Sequence, residues 1–296
     1  MAAGERQTAS ALQRAGFQGR SSSAATITEI QPSRGWLSLN LREVWTYREL
    51  LYFLVWRDVK VRYKQTAIGA AWAMLQPLMT MLVFTLVFKR IAAIPSDGLP
   101  YPVFALAALL PWNLFAEALS RSIASLVGQS NLISKVYFPR LIVPFSATIS
   151  GLVDFAVAFV LLLGMMIWFG IAPTWGVLAL PFFLFLALNA ALAVGLWLSA
   201  LNVRYRDVGY TVPFLVQLWM FASPVAYPVS MVPEKWRTLY SLNPMAGVIE
   251  GFRWALLGKE RPDFTVISIS TLIVAGLLFG GIVYFKRMEE TFADVV

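Results

Sequence analysis

The 296-residue chain contains no histidine and no cysteine. Those absences remove imidazole acid–base catalysis, thiol nucleophiles, disulfides, His/Cys zinc sites, and haem or iron–sulfur ligation. Charge is scarce too: 14% of residues are Asp, Glu, Lys or Arg, against about 25% in water-soluble domains. No G-x-x-x-x-G-K-[ST] loop occurs, since the one Gly-Lys pair, Gly258-Lys259, is followed by Glu260. ATP is therefore not expected to bind here through a phosphate loop.

Apolar residues are abundant, at 58% of the chain with a mean hydropathy of +0.67. A hydrocarbon core of roughly 30 Å needs about 20 mainly apolar residues per helix. Six stretches suit that length, near 67–90, 102–127 (interrupted by Pro111), 141–169, 175–200, 209–227 and 264–285. The expected fold is an all-α polytopic membrane protein with six transmembrane helices. Residues 1–40 are poor in hydrophobes and read as a disordered cytoplasmic tail, leaving 41–290 as the membrane domain. Between Trp45 and Lys64 the apolar run Leu50 to Trp56 is too short to span, and Arg57, Asp58, Lys60 and Arg62 follow it. That pattern predicts an amphipathic helix lying in the membrane interface.

Net charge is +8, and its placement reports orientation. Sixteen of the 24 basic residues fall on one side of the predicted spans, so that side is read as cytoplasmic, with both termini inside. No basic stripe accompanies a nucleic-acid-reading module, so no nucleic-acid partner is expected. On the outer side, Pro233 opens a short helix, Asn243-Pro244 reads as cap and first turn of a second, and Gly258 ends it. Met245, Val248, Ile249, Phe252, Ala255 and Leu256 form its apolar face, with Glu250 and Arg253 facing away as an i,i+3 pair. The two helices are either a lid or a cover.

Charges within the spans are costly and few. Glu117 and Arg121, at i,i+4, read as a mutual salt bridge or a functional pair. Asp154 has no partner in its own segment and is either packed, toward Asn189, or used in transport. Tyr210, Phe214, Gln217 and Phe221 share one stripe of the fifth segment, and Trp72, Gln76 and Thr80 one stripe of the first. Aromatic rings beside amides suit sugars, because a sugar's C–H face stacks on a ring while its hydroxyls hydrogen-bond. A helix–helix contact explains the same stripes. Gly276-x-x-x-Gly280, and Gly69, Ala70 and Ala73, offer small faces for close packing. The connections 130–140 (Lys135, Tyr137, Phe138, Arg140) and 202–208 (Arg204, Arg206) mix basic and aromatic residues. They suit either a partner protein or anionic headgroups.

Four blocks, RDVKVRYKQTAIGAAWAMLQPL (57–78), SDGLPYPVFALAALLPWNLFAEAL (96–119), SNLISKVYFPRLIVP (130–144) and LNPMAGVIEGFRWALLG (242–258), resemble the membrane permease of the type-2 ATP-binding-cassette polysaccharide exporters. That family includes O-antigen, teichoic-acid and capsule exporters. The resemblance implies a homodimer in the bacterial inner membrane, bound to two separate ATPase subunits that hold the ATP and Mg, with no cofactor on this chain. It implies a channel lined by the first and fifth segments (Trp72, Gln76, Tyr210, Phe214, Gln217, Phe221). It further implies a coupling segment at 130–140 and outer gate helices bearing Asn243, Pro244, Glu250 and Arg253. The implied substrate is a glycan on undecaprenyl diphosphate, whose phosphates would meet Arg57, Lys60 and Arg62. A teichoic-acid or capsule exporter, a membrane glycosyltransferase and an ion-coupled carrier are the rival readings.

Overall fold

The computed structural model describes residues 45–64, 70–258, 263–289 and Phe292. The expected tail, its boundary at 40, and Gly69 lie outside these residues. Every element is helical apart from turns, as the hydrocarbon interior requires: a backbone polar group without water must bond within its own segment or close a barrel.

Helix α1 (Arg48–Lys64) forms where the interfacial helix is expected. It buries Leu54 and leaves Tyr52, Phe53 and Trp56 exposed, as is Trp45 just before it, an aromatic surface suited to the headgroup layer. Helix α2 (Ala70–Phe84) widens into a π-helical stretch at Thr85–Ile91. Helix α3 (Tyr101–Gly128) runs straight through the expected break at Pro111. A proline costs a helix one N–H and is tolerated where neighbouring helices cover the freed carbonyl. At about 1.5 Å per residue its 28 residues reach about 42 Å, more than the hydrocarbon thickness.

A short helix, α4 (Ser130–Lys135), leads to α5 (Ile142–Ile149) and α6 (Gly151–Trp168), two parts of one span jogged at Ser150. After a 3-10 turn at Trp175–Ala179, α7 (Leu180–Arg204) returns, and α8 (Val208–Phe221) follows. The sequence led us to expect 209–227 to span. Instead α8 stops at Phe221, and its 14 residues reach about 21 Å, too short to cross alone. The chain turns at Ala222–Tyr227 and forms α9 (Glu234–Tyr240), α10 (Pro244–Leu257) and the last span, α11 (Phe264–Glu289). Among the described residues, five helices are thus long and apolar enough to cross a membrane.

Helix α3 is the axis: 78% of its most apolar window is buried, against 17–44% for the other spans. Helices α2, α5, α6, α7, α8 and α10 all pack on it. A second cluster at its C-terminal end gathers Leu54 of α1, Ile133 of α4, Phe138 and Phe285. Helix α10 corrects the expectation of an outer cover. All six residues of its expected apolar face are buried, as are Pro244, Gly247, Gly251 and Leu257, so it is part of the core, against α3, α7 and α11.

Glycines mark the closest approaches. A Cβ on Gly251 would run into the ring of Phe183, whereas Gly276 faces open space; of the expected small-residue pair, only Gly280, with its neighbour Gly281, meets a partner, Trp197. Gly251→Ala should therefore cost about 1–3 kcal/mol by overpacking and lower the unfolding temperature of the detergent-solubilised protein. Gly276→Ala should leave it unchanged or slightly raised. Equal melting of the two variants would contradict this packing.

Candidate functional site: a polar cavity and two helix termini

Near the C-terminal end of α3 a cavity of about 530 Å³ opens between α1, α2, α3 and α6. Its apolar wall is Pro77, Leu110, Leu114, Phe155 and Ala158; its polar end is Arg62, Tyr63, Glu117, Arg121 and Asp154. Asp154, 15% exposed, is the centre of that end. It accepts from Arg121 Nη2 at 2.7 Å, from Arg62 Nη1, and from the Tyr63 hydroxyl. Arg121 also pairs with Glu117, while its Nη1 is buried with no hydrogen-bond partner among the described residues. The i,i+4 pair thus forms as expected, but the expected approach of Asp154 to Asn189 does not. The Asn189 amide instead donates to the Phe185 carbonyl at 2.7 Å. Burial, reinforced by the Asp154 carboxylate, pushes the Tyr63 phenol up to about 12, so it donates to Asp154 throughout the physiological range. Sequence periodicity could not reveal this cluster, because its members come from three elements; the signal available was three charges in otherwise apolar spans.

The remaining candidates distribute unevenly. Of the three basic residues expected to meet phosphate, Arg62 lines the cavity, Arg57 donates to Asp58 at 2.8 Å, and Lys60 is exposed. Trp72 and Gln76 line the cavity; Tyr210, Phe214, Gln217 and Phe221 do not, and lie exposed along α8. The structure therefore does not bring the two stripes together in this cavity.

At the α4 end, Lys135, Val136 and Tyr137 are exposed, as are Arg204 and Arg206. Phe138, expected to share a docking role with Tyr137, is instead 5% exposed and anchors the second cluster. The Arg140 backbone N–H donates to Glu289 Oε1 at 2.9 Å, and its guanidinium donates to the Glu289 carbonyl. The loop is thereby fixed to the end of α11 while Val136 and Tyr137 protrude.

At the opposite end Asn243 caps α10 as expected, its Oδ1 accepting from Met245 N at 3.1 Å. The same oxygen accepts from the Trp219 indole at 3.1 Å, and Nδ2 donates to Ser223 Oγ at 2.9 Å and to the Ala222 carbonyl at 3.3 Å. The cap thus also clasps the end of α8, a role the sequence did not disclose. Arg253 corrects the expectation that it faces away. It turns inward, half-buried, 3.6 Å from the Phe104 ring centroid, and donates to the carbonyls of Phe104, Val225 and Tyr227 at 3.2, 2.7 and 3.4 Å. Three carbonyl acceptors and a ring face suit a desolvated guanidinium. Glu250 forms no ion pair with it, and its Oε2 is buried without a partner among the described residues. Burial pushes the Glu250 carboxyl up to about 7, against the opposing pull of a backbone hydrogen bond from Asp263.

Helices that cross a membrane around a central axis, a helix lying at one end, and a polar cavity between them define a multi-pass membrane transport subunit. The family model described as the ABC-2 type transporter matches residues 49–257, and the chain belongs to that family. It is a permease subunit, not an enzyme; ATP hydrolysis lies on a separate partner. The chain is 31% identical over 259 residues to the O-antigen export system permease protein RfbA of Myxococcus xanthus, covering 86% of this chain and 98% of that one. It is 25% identical over 252 residues to a permease of the same name from Klebsiella pneumoniae, covering 84% and 95%. To the polysialic acid transport protein KpsM of Escherichia coli it is 23% identical over 251 residues, covering 79% and 91%.

Two predictions follow from the geometry. Asp154→Asn removes the carboxylate that bonds both Arg62 and Arg121, and hydrogen bonds to charged groups are worth about 1.5–3 kcal/mol. Amide exchange should accelerate along α1, while α10 stays protected; uniform exchange in α1 would refute the tether. Glu250, with its folded pKa above its ordinary 4.5, favours the folded state most when protonated, and that contribution is lost as pH rises from 4.5 through 7. Glu250→Gln should therefore raise the melting temperature at pH 8 and lose its advantage toward pH 4.5. An advantage independent of pH would show that Glu250 is not titrating there.

Proposed function

We propose that this chain is the permease of an ATP-driven exporter that moves a lipid-linked polysaccharide, an O-antigen-like glycan on undecaprenyl diphosphate, outward across the bacterial inner membrane. The full-length similarity to export permeases for O-antigen and polysialic acid supports the substrate class. The observation that carries the reading furthest is the uncovered amide–aromatic face of α8. Gln217 lies exposed at mid-helix with no hydrogen-bond partner among the described residues, between Phe214 and Phe221, which are 61% and 51% exposed. A bare amide against hydrocarbon costs several kcal/mol. That face belongs against a polar, ring-stacking ligand or a second copy of the chain, and a channel between two copies supplies both. Such a dimer would place Trp72, Gln76, Tyr210, Phe214, Gln217 and Phe221 on the glycan path.

In this reading the α4 end is cytoplasmic, with both termini inside, and Lys135, Val136, Tyr137, Arg204 and Arg206 receive two ATPase subunits that carry ATP and Mg. Lys60, exposed on α1, meets the diphosphate, while Arg62 is held by Asp154. Asn243, Pro244, Glu250 and Arg253 hold the outer gate. Deleting the gene should leave lipid-linked glycan inside the cell and none at its surface, and the tagged permease should co-purify an ATPase. Tyr137→Ala should reduce surface glycan at least about tenfold while the permease inserts normally, since truncating a central interface aromatic costs about 2 kcal/mol or more. Normal surface glycan in the deletion strain would sink the export reading; normal export by Tyr137→Ala would sink the docking assignment alone.

A further inference from the structure

Three polar groups of the cavity remain unspent. The side-chain amides of Gln76 and Asn113 make no hydrogen bond to another described residue, and Arg121 Nη1 is buried and unpartnered. Arg121 Nη1, removed from water, is expensive unless a ligand or ordered water meets it, while Gln76, exposed, and Asn113, half-buried, present uncommitted amides to whatever fills the cavity. The volume, about 530 Å³, falls in the range of about 300–1,000 Å³ typical of small-molecule sites.

The charges discriminate between ligands. Arg62 and Arg121 are matched by Glu117 and Asp154, so the polar end carries no net charge to attract a phosphate, and its carboxylates would oppose one. A neutral polyhydroxyl compound faces no such opposition. Each hydroxyl both donates and accepts, so it can give a proton to Asp154 or Glu117 and receive one from Arg121 Nη1 or an amide. Trp72, 56% exposed, offers a ring at the rim, and Phe155 another inside, against which the C–H face of a sugar can lie.

We infer that the cavity between α1, α2, α3 and α6 is a carbohydrate subsite within a single protomer, in which Trp72 stacks on a sugar ring and Gln76, Asn113 and Arg121 bind its hydroxyls. This rests on the export reading and deepens it. The site takes uncharged sugar units of the glycan, not its diphosphate, and it is separate from the exposed stripe of α8. Selectivity among glycans therefore resides partly in Asn113, which lies outside every charge pair.

The test uses full-length permease in nanodiscs and two probes: the glycan chain released by mild acid from the host's own lipid-linked pool, and inorganic pyrophosphate. Calorimetry should show the glycan binding to the wild type, with no displacement by pyrophosphate. Trp72→Ala and Asn113→Ala, both eluting as the wild type does in size exclusion, should each weaken binding about tenfold, and Asn113→Gln should restore part of the loss. Leu272→Ala, on the exposed face of α11 and not in the cavity lining, should leave this affinity unchanged. Displacement by pyrophosphate would make the cavity a headgroup site and overturn the inference. So would unchanged affinity in both cavity variants, or failure of the glycan to bind the wild type. The export reading is judged separately, by surface glycan in the deletion strain.

Discussion

In a bilayer, helices gain little from hiding apolar surface from one another, because lipid tails are as apolar as leucine; association depends on how closely backbones approach. The bundle around α3 meets that constraint with small residues at the contacts. Ala105, Ala107, Ala108 and Ala118 of α3 are fully buried. A Cβ on Gly195 of α7 would sit 2.5 Å from Ser122 Oγ, and one on Gly247 of α10 would sit 2.7 Å from Ser270 Oγ. Larger residues at these points would push α7 from α3 and α10 from α11. The cavity, the caps and the inward-turned arginine all depend on those separations.

Helix α3 also joins the two ends of the molecule. Arg121, near its C-terminus, binds Asp154, and the Phe104 carbonyl, 17 residues earlier or about 25 Å away along the axis, receives Arg253. Between them Trp112 and Phe115 pack edge-on against Trp219 of α8, whose indole reaches Asn243. A displacement of α8 therefore acts on the first turn of α10 through one hydrogen bond and on α3 through two ring contacts. That is a contiguous physical route from the helix with the uncovered aromatic face to the turn that starts the outer helix.

The local features were legible because local chemistry sets them. The length of α1, the cap at Asn243, the left-handed Gly258 at φ 65° and the apolar face of α10 all follow from patterns within a dozen residues. What failed was tertiary. Hydropathy continued smoothly through 209–227 while the chain actually turned at Ala222, because Ser223 and Pro224 sit in a stretch otherwise apolar. Glu250 and Arg253 looked like a surface pair at helical spacing, yet Arg253 goes inward because two carbonyls freed at that turn, those of Val225 and Tyr227, need a donor there. Phe138 was grouped with Tyr137 by adjacency, and after Val136 takes an extended conformation, successive side chains point opposite ways. The cavity drew on four segments and had no sequence signature beyond the rarity of its charges.

The two ends differ in how their polar groups are satisfied, and that difference bears on direction. At the α10 end Asn243 spends all four side-chain hydrogen bonds, two of them on the backbone and two on the Trp219 and Ser223 side chains, and Arg253 spends three on backbone carbonyls. On the export reading, opening that end would expose carbonyls and a guanidinium that have no substitute partners in an apolar surround, so this arrangement would be its closed one. At the α4 end the charges neutralise one another, amides stay unspent, and Tyr137 projects outward. In an exporter, a ligand arriving at the α4 end finds groups waiting for partners, whereas departure at the α10 end requires breaking bonds already made. On that reading the second step is where work from the ATPase would be spent, and the α3 axis on which both ends are built would carry it between them.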